Sequence, residues 1–411
     1  MTSPATRATV IDHLSSRLTG RVLAPGDPAY DEARTLFYGG MDRRPAAIAR
    51  VADARDVAGA IAITREHGLA LAVRSGGHSL AGHSVPDGGL MVDLGELRAL
   101  ELDVEGRSAW AGTGITTGAY TEAAAAHGLA TGFGDTGSVG VGGLTLGGGV
   151  GFLVRKHGLT IDDLLAAELV TADGEVLHVD EGSHPDLFWA IRGGGGNFGV
   201  VTRLRLRLHE LGSVVGGMLI LPATPRTVAG FVAAADDAPE ELSAIANVMK
   251  APPMPFLPEE AHGRPVLFAL MLHAGDAEAG ERAVAPFRAL AEPVADMVRP
   301  IAYPEIYEGP GGDEDFHPLF AARNLFTDRF DEELAATILD RVSAPTAMMA
   351  AVQLRVLGGA MARVPDEATA FAHRRRRIMV NVAALFEDPG DREPQAGWVD
   401  DLTDLLRDGP G

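Results

Sequence analysis

The chain has 411 residues, 46% of them hydrophobic and 22% charged, enough at roughly 150 residues per domain for about two to three domains and an enzyme-sized core. Fifty-six acidic against 35 basic residues leave a formal charge of −21, which repels nucleic-acid phosphates and anionic membrane surfaces, so neither is an expected partner. The absence of cysteine excludes disulfides, iron–sulfur clusters, thiolate zinc sites and cysteine nucleophiles; a metal would need His and carboxylate ligands alone, and none is expected.

Residues 1–45 read as an N-terminal segment. Met1 to Leu18 carries charges throughout and lacks the apolar run of a signal peptide, which predicts a cytoplasmic protein. Asp53 to His67 has helical periodicity with Gly68 as its stop, and Leu69 to Val73 reads as a buried strand. That strand runs into Arg74-Ser75-Gly76-Gly77-His78-Ser79 and a second turn at Ala81-Gly82-His83-Ser84. Paired glycines let a backbone approach a ligand closely, and here they present an imidazole at that point. Such a loop suits phosphate oxygens held by backbone N–H groups and a ring nitrogen offered to the same ligand, as a flavin dinucleotide requires.

Gly89 to Leu94 and Ser108 to Gly112 are further strands, and Thr116 or Thr117 caps an alanine-rich helix from about Ala119 to His127. Gly132 to Phe152 is a second glycine-rich run. Within it Gly137 to Val154 has the length of a membrane span, but eight of its 18 residues are glycine, so it reads as a loop system. Leu169 to Thr171 and Val176 to Val179 flank Asp173-Gly174, a hairpin signal. Arg192 to Gly199 is the third glycine segment. It matches G-x-G-x-x-G at Gly194, Gly196 and Gly199, yet Val200 to Leu208 alternates as a strand instead of opening a helix, which argues against a nicotinamide fingerprint. Three such segments in one domain point to a long ligand threaded between loops.

Beyond Gly212 the clusters thin out. Gly217 to Leu221, Thr227 to Ala235, Val266 to His273 and Ala277 to Leu290 suggest an α+β domain with a mostly antiparallel sheet, continued by Asp313 to Asn324 and Ala351 to Val364, a strand at Ile378 to Phe386, and a helix from about Ala396 to Leu406. The expected substrate pocket lies at the junction of the two domains. Of the remaining titratable groups, His178 and His184 flank an acidic turn with a weak claim on a metal, and His373 with Arg374 to Arg377 reads as a solvated strand entrance with a lesser claim on an anionic substrate.

Three stretches carry a family resemblance: Val-Arg-Ser-Gly-Gly-His-Ser at 73–79, Gly-Val-Gly-Gly-Leu-Thr-Leu-Gly-Gly-Gly at 140–149, and Asp-Leu-Phe-Trp-Ala-Ile-Arg-Gly-Gly-Gly-Gly-Asn-Phe-Gly-Val-Val at 186–201. With them, residues 46–211 resemble the PCMH-type FAD-binding domain of the vanillyl-alcohol oxidase superfamily, in its berberine bridge enzyme-like branch. The resemblance implies an α+β fold in which a two-subdomain FAD-binding domain (46–211) precedes an antiparallel-sheet substrate domain covered by helices (212–390) and a C-terminal helix (391–411). It implies FAD bonded covalently through His78, with Arg74, Ser75, Gly76, Gly77, Ser79, Gly82, Thr136, Gly137, Gly140, Val141, Gly142, Gly143, Gly148, Gly199, Val200 and Val201 around the cofactor. A second bond from a cysteine, known in some members near the position of Thr136, is excluded here. Val141 matches the position that gates oxygen, and its small side chain resembles the oxidases. An electron-withdrawing imidazole substituent raises the flavin potential and favours hydride uptake.

The family's C-terminal Tyr-x-Asn strand and Asp-Pro-x-Asn-Leu-Phe motif are not visible, which leaves no nameable catalytic base. Tyr303, Tyr307, Glu305 and His317 are weak candidates, and a sheet without its last strand would be less stable. Three functions stay open: an FAD-dependent oxidase passing hydride from an alcohol, sugar or secondary metabolite to the flavin and electrons to O2, a flavin-binding protein without turnover, and a flavin dehydrogenase with another acceptor. No motif identifies the substrate or the oligomeric state.

Overall fold

The computed structural model describes residues 4–307, 317–345 and 347–407. It divides into two units. The first comprises Met1–Val150, Leu159–Glu210 and Glu367–Ala372, and the second Gly151–Gly158, Leu211–Asp366 and His373–Gly411. Neither is continuous in sequence: the division at 211/212 misses the 151–158 excursion and the return of 367–372.

The first unit begins with α1 (Pro4–Arg17), β1 (Arg21–Leu23), α2 (Tyr30–Arg34), β2 (Ala47–Arg50), α3 (Ala54–Glu66), β3 (Leu71–Arg74) and β4 (Leu90–Asp93). The sheet order is β1-β2-β4-β3, parallel except for the β1–β2 pair. Helix α3 starts where the Asp53 carboxylate accepts the N–H groups of Arg55 and Asp56 at 2.8 and 3.0 Å, and ends before Gly68 at φ +62°. Val57, Ala60, Ile61 and Ile63 of α3 pack with Val10 and Leu14 of α1 against the central strand β4, all four residues of which are buried. The order helix, strand, loop delivers the His78 turn from the carboxyl end of β3.

The rest of the unit is a five-stranded antiparallel sheet with short helices. Its elements are β5 (Leu100–Asp103), β6 (Ser108–Gly112), α4 (Thr117–Ala125), β7 (Leu129–Ala130), α5 (Val141–Leu146), α6 (Val154–His157, which belongs to the second unit), β8 (Leu164–Val170), β9 (Val176–Val179), α7 (Pro185–Ile191), β10 (Val200–Arg207) and β11 (His209–Glu210). The sheet runs β5-β6-β10-β8-β9, and β11 pairs with β7. Alternation in β10 buries Leu204 and Leu206, while Arg203 lies over the Trp110 ring and pairs with Glu101. Thr116 caps α4 through its hydroxyl. One expectation needs correction: residues 137–154 are not loop throughout, because 141–146 are helical. Gly142 permits this, since a Cβ there would stand 2.8 Å from the Cβ of Thr113.

The second unit contains β12 (Val214–Pro222), α8 (Pro225–Asp237), β13 (Leu242–Lys250), β14 (Pro265–His273), α9 (Ala277–Arg288), β15 (Ala295–Asp296), β16 (Arg299–Ile301), β17 (Leu319–Thr327), α10 (Glu332–Val342), β18 (Met349–Val356), α11 (Ala360–Arg363), β19 (Ile378–Phe386) and α12 (Arg392–Leu406). Its antiparallel sheet has the order β15-β12-β14-β13-β18-β19-β17, with β16 beside β12. Helices α8, α9, α10 and α12 bury one face through Phe231, Phe287, Ile338 and Leu402. On alternate positions Asn247, Gln353, Asn381 and Asn324 stand in register across four strands, joined at 3.1 Å (Gln353 to Asn247) and 2.8 Å (Asn381 to Asn324). Strand β13 has no counterpart in the sequence reading. Part of the 313–324 stretch lies outside the described residues, and the rest is β17.

Candidate functional site

Two glycine loops of the first unit meet backbone to backbone. A Cβ on Gly76 would fall 2.3 Å from the amide nitrogen of Gly140, and one on Gly140 would fall 2.2 Å from Ser75 Oγ. The contact is fixed from below by the Ser75 hydroxyl, which donates to the Thr113 carbonyl at 2.6 Å. Arg74 turns back to donate to the carbonyl of Ala33, and burial lowers its pKa. Further along the first loop, the Ser79 hydroxyl accepts the His83 N–H at 3.1 Å, and the Gly82 carbonyl accepts from Arg43 at 2.6 Å.

His78 stands half-buried between these loops. Its ring stacks on Phe37 with centroids 4.3 Å apart and planes 22° from parallel, and its Nε2 lies 3.1 Å from Ser138 Oγ. Burial, helped by the charge of Arg74 and opposed by the backbone of Ser138, lowers its pKa from 6.5 to about 4. The imidazole is therefore neutral at physiological pH. Tyr38 packs edge-on against Phe37 at 4.9 Å, and burial with the nearby Asp135 charge raises its pKa. Sequence reasoning missed this aromatic shelf because it left Phe37 and Tyr38 in an undivided N-terminal segment. The signal was the aromatic pair itself.

In the second loop the backbone is largely engaged within the protein. Thr117 donates to the Thr136 carbonyl at 2.8 Å, Gly118 N–H to Gly137, Val141 N–H to Ile115 and Gly142 N–H to Thr113. The Val141 side chain is enclosed in the core with Tyr120 and Phe133. At Gly143 a Cβ would meet nothing within 4 Å.

Several glycines serve the protein's own packing. Gly148, at φ +124°, and Gly193, at φ +111°, form a nest for Phe371: a Cβ on either would lie 2.7–2.8 Å from that residue. Trp189 Nε1 and Arg192 Nη2 donate to the carbonyls of Glu367 and Ala368 at 2.8 and 3.1 Å, holding the same segment. Gly199 packs against Leu169, and the Val200 and Val201 side chains are buried at the start of β10. A threaded ligand is thus not required to explain Gly148, Gly193 or Gly199. Gly195 and Gly196 do face open space.

The other groups singled out in the sequence fall elsewhere. His178 pairs with Asp180 at 3.3 Å, and neither it nor His184 joins a three-ligand grouping among the described residues. The basic run is a solvated entrance to β19 except at Arg374, which is fully buried; His373 stacks on Phe326 at 4.2 Å, and the exposed Arg375, Arg376 and the half-exposed Arg377 pair with Asp366, Asp328 and Asp236. Tyr303 is buried with its hydroxyl 3.3 Å from that of Tyr307, and burial raises its pKa well above 10. Glu305 is held by Arg299 and the Ala302 N–H, and His317 leads into β17.

Residues 74–84 and 136–153 contain no acidic side chain, so the paired loops set no like charge against a polyanion and present it with a neutral imidazole and with the close approach left open at Gly143. These groups fit an FAD pyrophosphate and a bond from His78 to the ring system. Residues 45–180 match the family of FAD binding domains. The chain is 35% identical over 290 residues to the (R)-6-hydroxynicotine oxidase of Paenarthrobacter nicotinovorans, covering 70% of this chain but only 62% of that protein. It is 28% identical over 404 residues to the FAD-linked oxidoreductase YgaK of Bacillus subtilis, covering 95% and 86%. The solved 6-hydroxy-D-nicotine oxidase of Arthrobacter nicotinovorans superposes with a TM-score of 0.84 at 28% identity, over 95% of this chain and 86% of that one. BBE-like 1 of Physcomitrella patens superposes at 0.87 and 21%, over 97% and 88%, a likeness of fold. The chain spans less than two thirds of the length of the (R)-6-hydroxynicotine oxidase, and its fold and loops resemble those of FAD-linked proteins. Residues 45–180 are thus similar to FAD binding domains, and the fold is like that of a BBE-like protein.

Among the described residues no helix is long and apolar enough to cross a membrane.

Proposed function

We propose that this chain is an FAD-linked oxidase that holds its flavin by one bond from His78 and removes a hydride from a carbon bearing a hydroxyl or an amine. The substrate loses two electrons and two protons, and O2 takes them up as H2O2. FAD, when bound, supplies the hydride acceptor. The observation that carries the reading is His78 itself. Its pKa of about 4 leaves the ring neutral, and Nε2 lies 3.1 Å from Ser138 Oγ; in the tautomer where Nε2–H donates to that hydroxyl, Nδ1 keeps the lone pair that would bond to carbon. Phe37 covers one face of the ring and fixes its plane.

Two relatives support the substrate class by their names, the (R)-6-hydroxynicotine oxidase and the glucooligosaccharide oxidase of Sarocladium strictum. Both names also favour oxygen as acceptor. Val141 adds nothing to that choice from its geometry, being enclosed in the core. The grass pollen allergen Phl p 4, which shares this fold, is a glucose dehydrogenase whose variant is a glucose oxidase, and oxygen uptake distinguishes the two acceptors here.

The test is the visible spectrum of purified protein before and after acid precipitation, for wild type and His78→Ala, followed by oxygen consumption with amine and alcohol substrates. Colour that stays in the wild-type pellet and leaves with the supernatant in His78→Ala supports the bond. Acid-stable flavin in His78→Ala refutes it. Reduction by substrate without oxygen uptake replaces the oxidase with a dehydrogenase, and a yellow protein that no substrate reduces leaves a binding protein.

A further inference from the structure

Helices α1 and α3 bring their carboxyl ends together, and three donor atoms meet there. His13 Nδ1 lies 3.2 Å from His67 Nε2, and Glu66 Oε1 lies 4.0 Å from His13 Nδ1. All three atoms fall within 4.8 Å of one another, the one such grouping among the described residues. Two imidazole nitrogens bound to one tetrahedral zinc at about 2.0–2.1 Å stand about 3.3 Å apart. The observed spacing meets that requirement, with the ring centroids 5.3 Å apart and their planes inclined at 52°. The negative ends of two helix dipoles add to the attraction for a cation.

We infer that His13, Glu66 and His67 form a binding site for a divalent transition cation of the zinc type, with water completing the shell. Two imidazoles and one carboxylate suit such an ion, whereas magnesium and calcium take oxygen donors. Arg17 Nη1 stands 3.8 Å from Glu66 Oε2, so it competes for the carboxylate and lowers affinity without removing a ligand. The ion would tie α1 to α3 above the core contact of Val10 and Leu14 with Val57 and Ile61. It has no part in the flavin site.

The competing account is a hydrogen bond between the two imidazoles with no ion. Untagged full-length holoprotein, stripped with chelator and titrated with Zn2+ by calorimetry, distinguishes them. The expected result is one equivalent bound with micromolar or tighter affinity, at least about tenfold weaker in His13→Ala and His67→Ala and several-fold tighter in Arg17→Ala. Because a variant can misfold, amide hydrogen exchange of wild type is measured as well, and zinc should slow exchange in residues 4–17 and 54–67. Absence of binding, binding of equal strength in both His variants, or protection confined to other segments would each overturn the inference.

Discussion

Phe37→Ala is the most direct probe of how the fold prepares His78. The phenyl ring covers one face of the imidazole at 4.3 Å, and burial is the main reason the His78 pKa stands near 4. Removing the ring admits water and moves that pKa toward its unperturbed value of about 6.5. At pH 5.5 a group with a pKa of about 4 is about 97% neutral, whereas one at about 6.5 is about 9% neutral; at pH 7.5 both are more than about 90% neutral. If the neutral ring is the species that bonds to the flavin, wild-type attachment should proceed at nearly equal rates at pH 7.5 and 5.5. Phe37→Ala should be slower at the lower pH than at pH 7.5, by up to about tenfold if the pKa returned fully to about 6.5. The assay reconstitutes flavin-free protein with FAD and follows acid-stable flavin fluorescence with time. A wild-type rate that itself drops about tenfold over this interval would refute the argument.

Other predictions concern stability. Phe371→Ala empties the nest formed by Gly148 and Gly193 and should cost about 3–5 kcal/mol in chemical denaturation, and Gly193→Ala should also destabilise, whereas Gly196→Ala, with open space at its Cβ, should stay within about 0.5 kcal/mol. The buried Asp56 carboxylate accepts the N–H groups of Thr19, Gly20 and Ala52 at 2.8–2.9 Å; Asp56→Ala would orphan three donors and should cost about 3–5 kcal/mol. Burial raises the Asp56 pKa but the hydrogen bonds outweigh it and hold it below 3.8. Its contribution is therefore present above that value and lost as pH falls through the folded pKa, which acid titration of wild type against Asp56→Ala will show. His78, His273 and His373 all have pKa values lowered chiefly by burial. The unfolded chain binds more protons than the flavin-free folded chain below about 6.5, so thermal midpoints should fall as pH drops from 7 toward 5.

Much of the first unit was legible because local chemistry and tertiary need agree there. Asp53 and Gly68 bound α3 as capping physics requires, the Asp173-Gly174 turn closes the β8–β9 hairpin, and the strand after Gly199 correctly set aside a nicotinamide fingerprint. The second unit was read less completely, since β13 and β18 carry small residues such as Ala244, Ala246, Ala350 and Ala351 that give little periodic signal. At the flavin loops, glycine spacing identified close backbone approach but not what approaches. For Gly76 it is Gly140, and for Gly148 and Gly193 it is Phe371. Contacts of that separation leave no local trace, and the same holds for Phe37 against His78 and for His13 against His67. Arg374 was misread because a run of arginines looks solvated until tertiary structure encloses one of them.

The return of residues 367–372 to the first unit bears on how the protein is made. A nascent chain that has delivered β10 to the folding compartment still lacks the phenyl group that fills the nest beside α5 and α7. Until about 160 further residues have left the ribosome, the first unit lacks that side chain, and the contact that completes it is long-range. An expression fragment ending near Glu210 would lack this contact and should be less stable than the first unit of the whole chain.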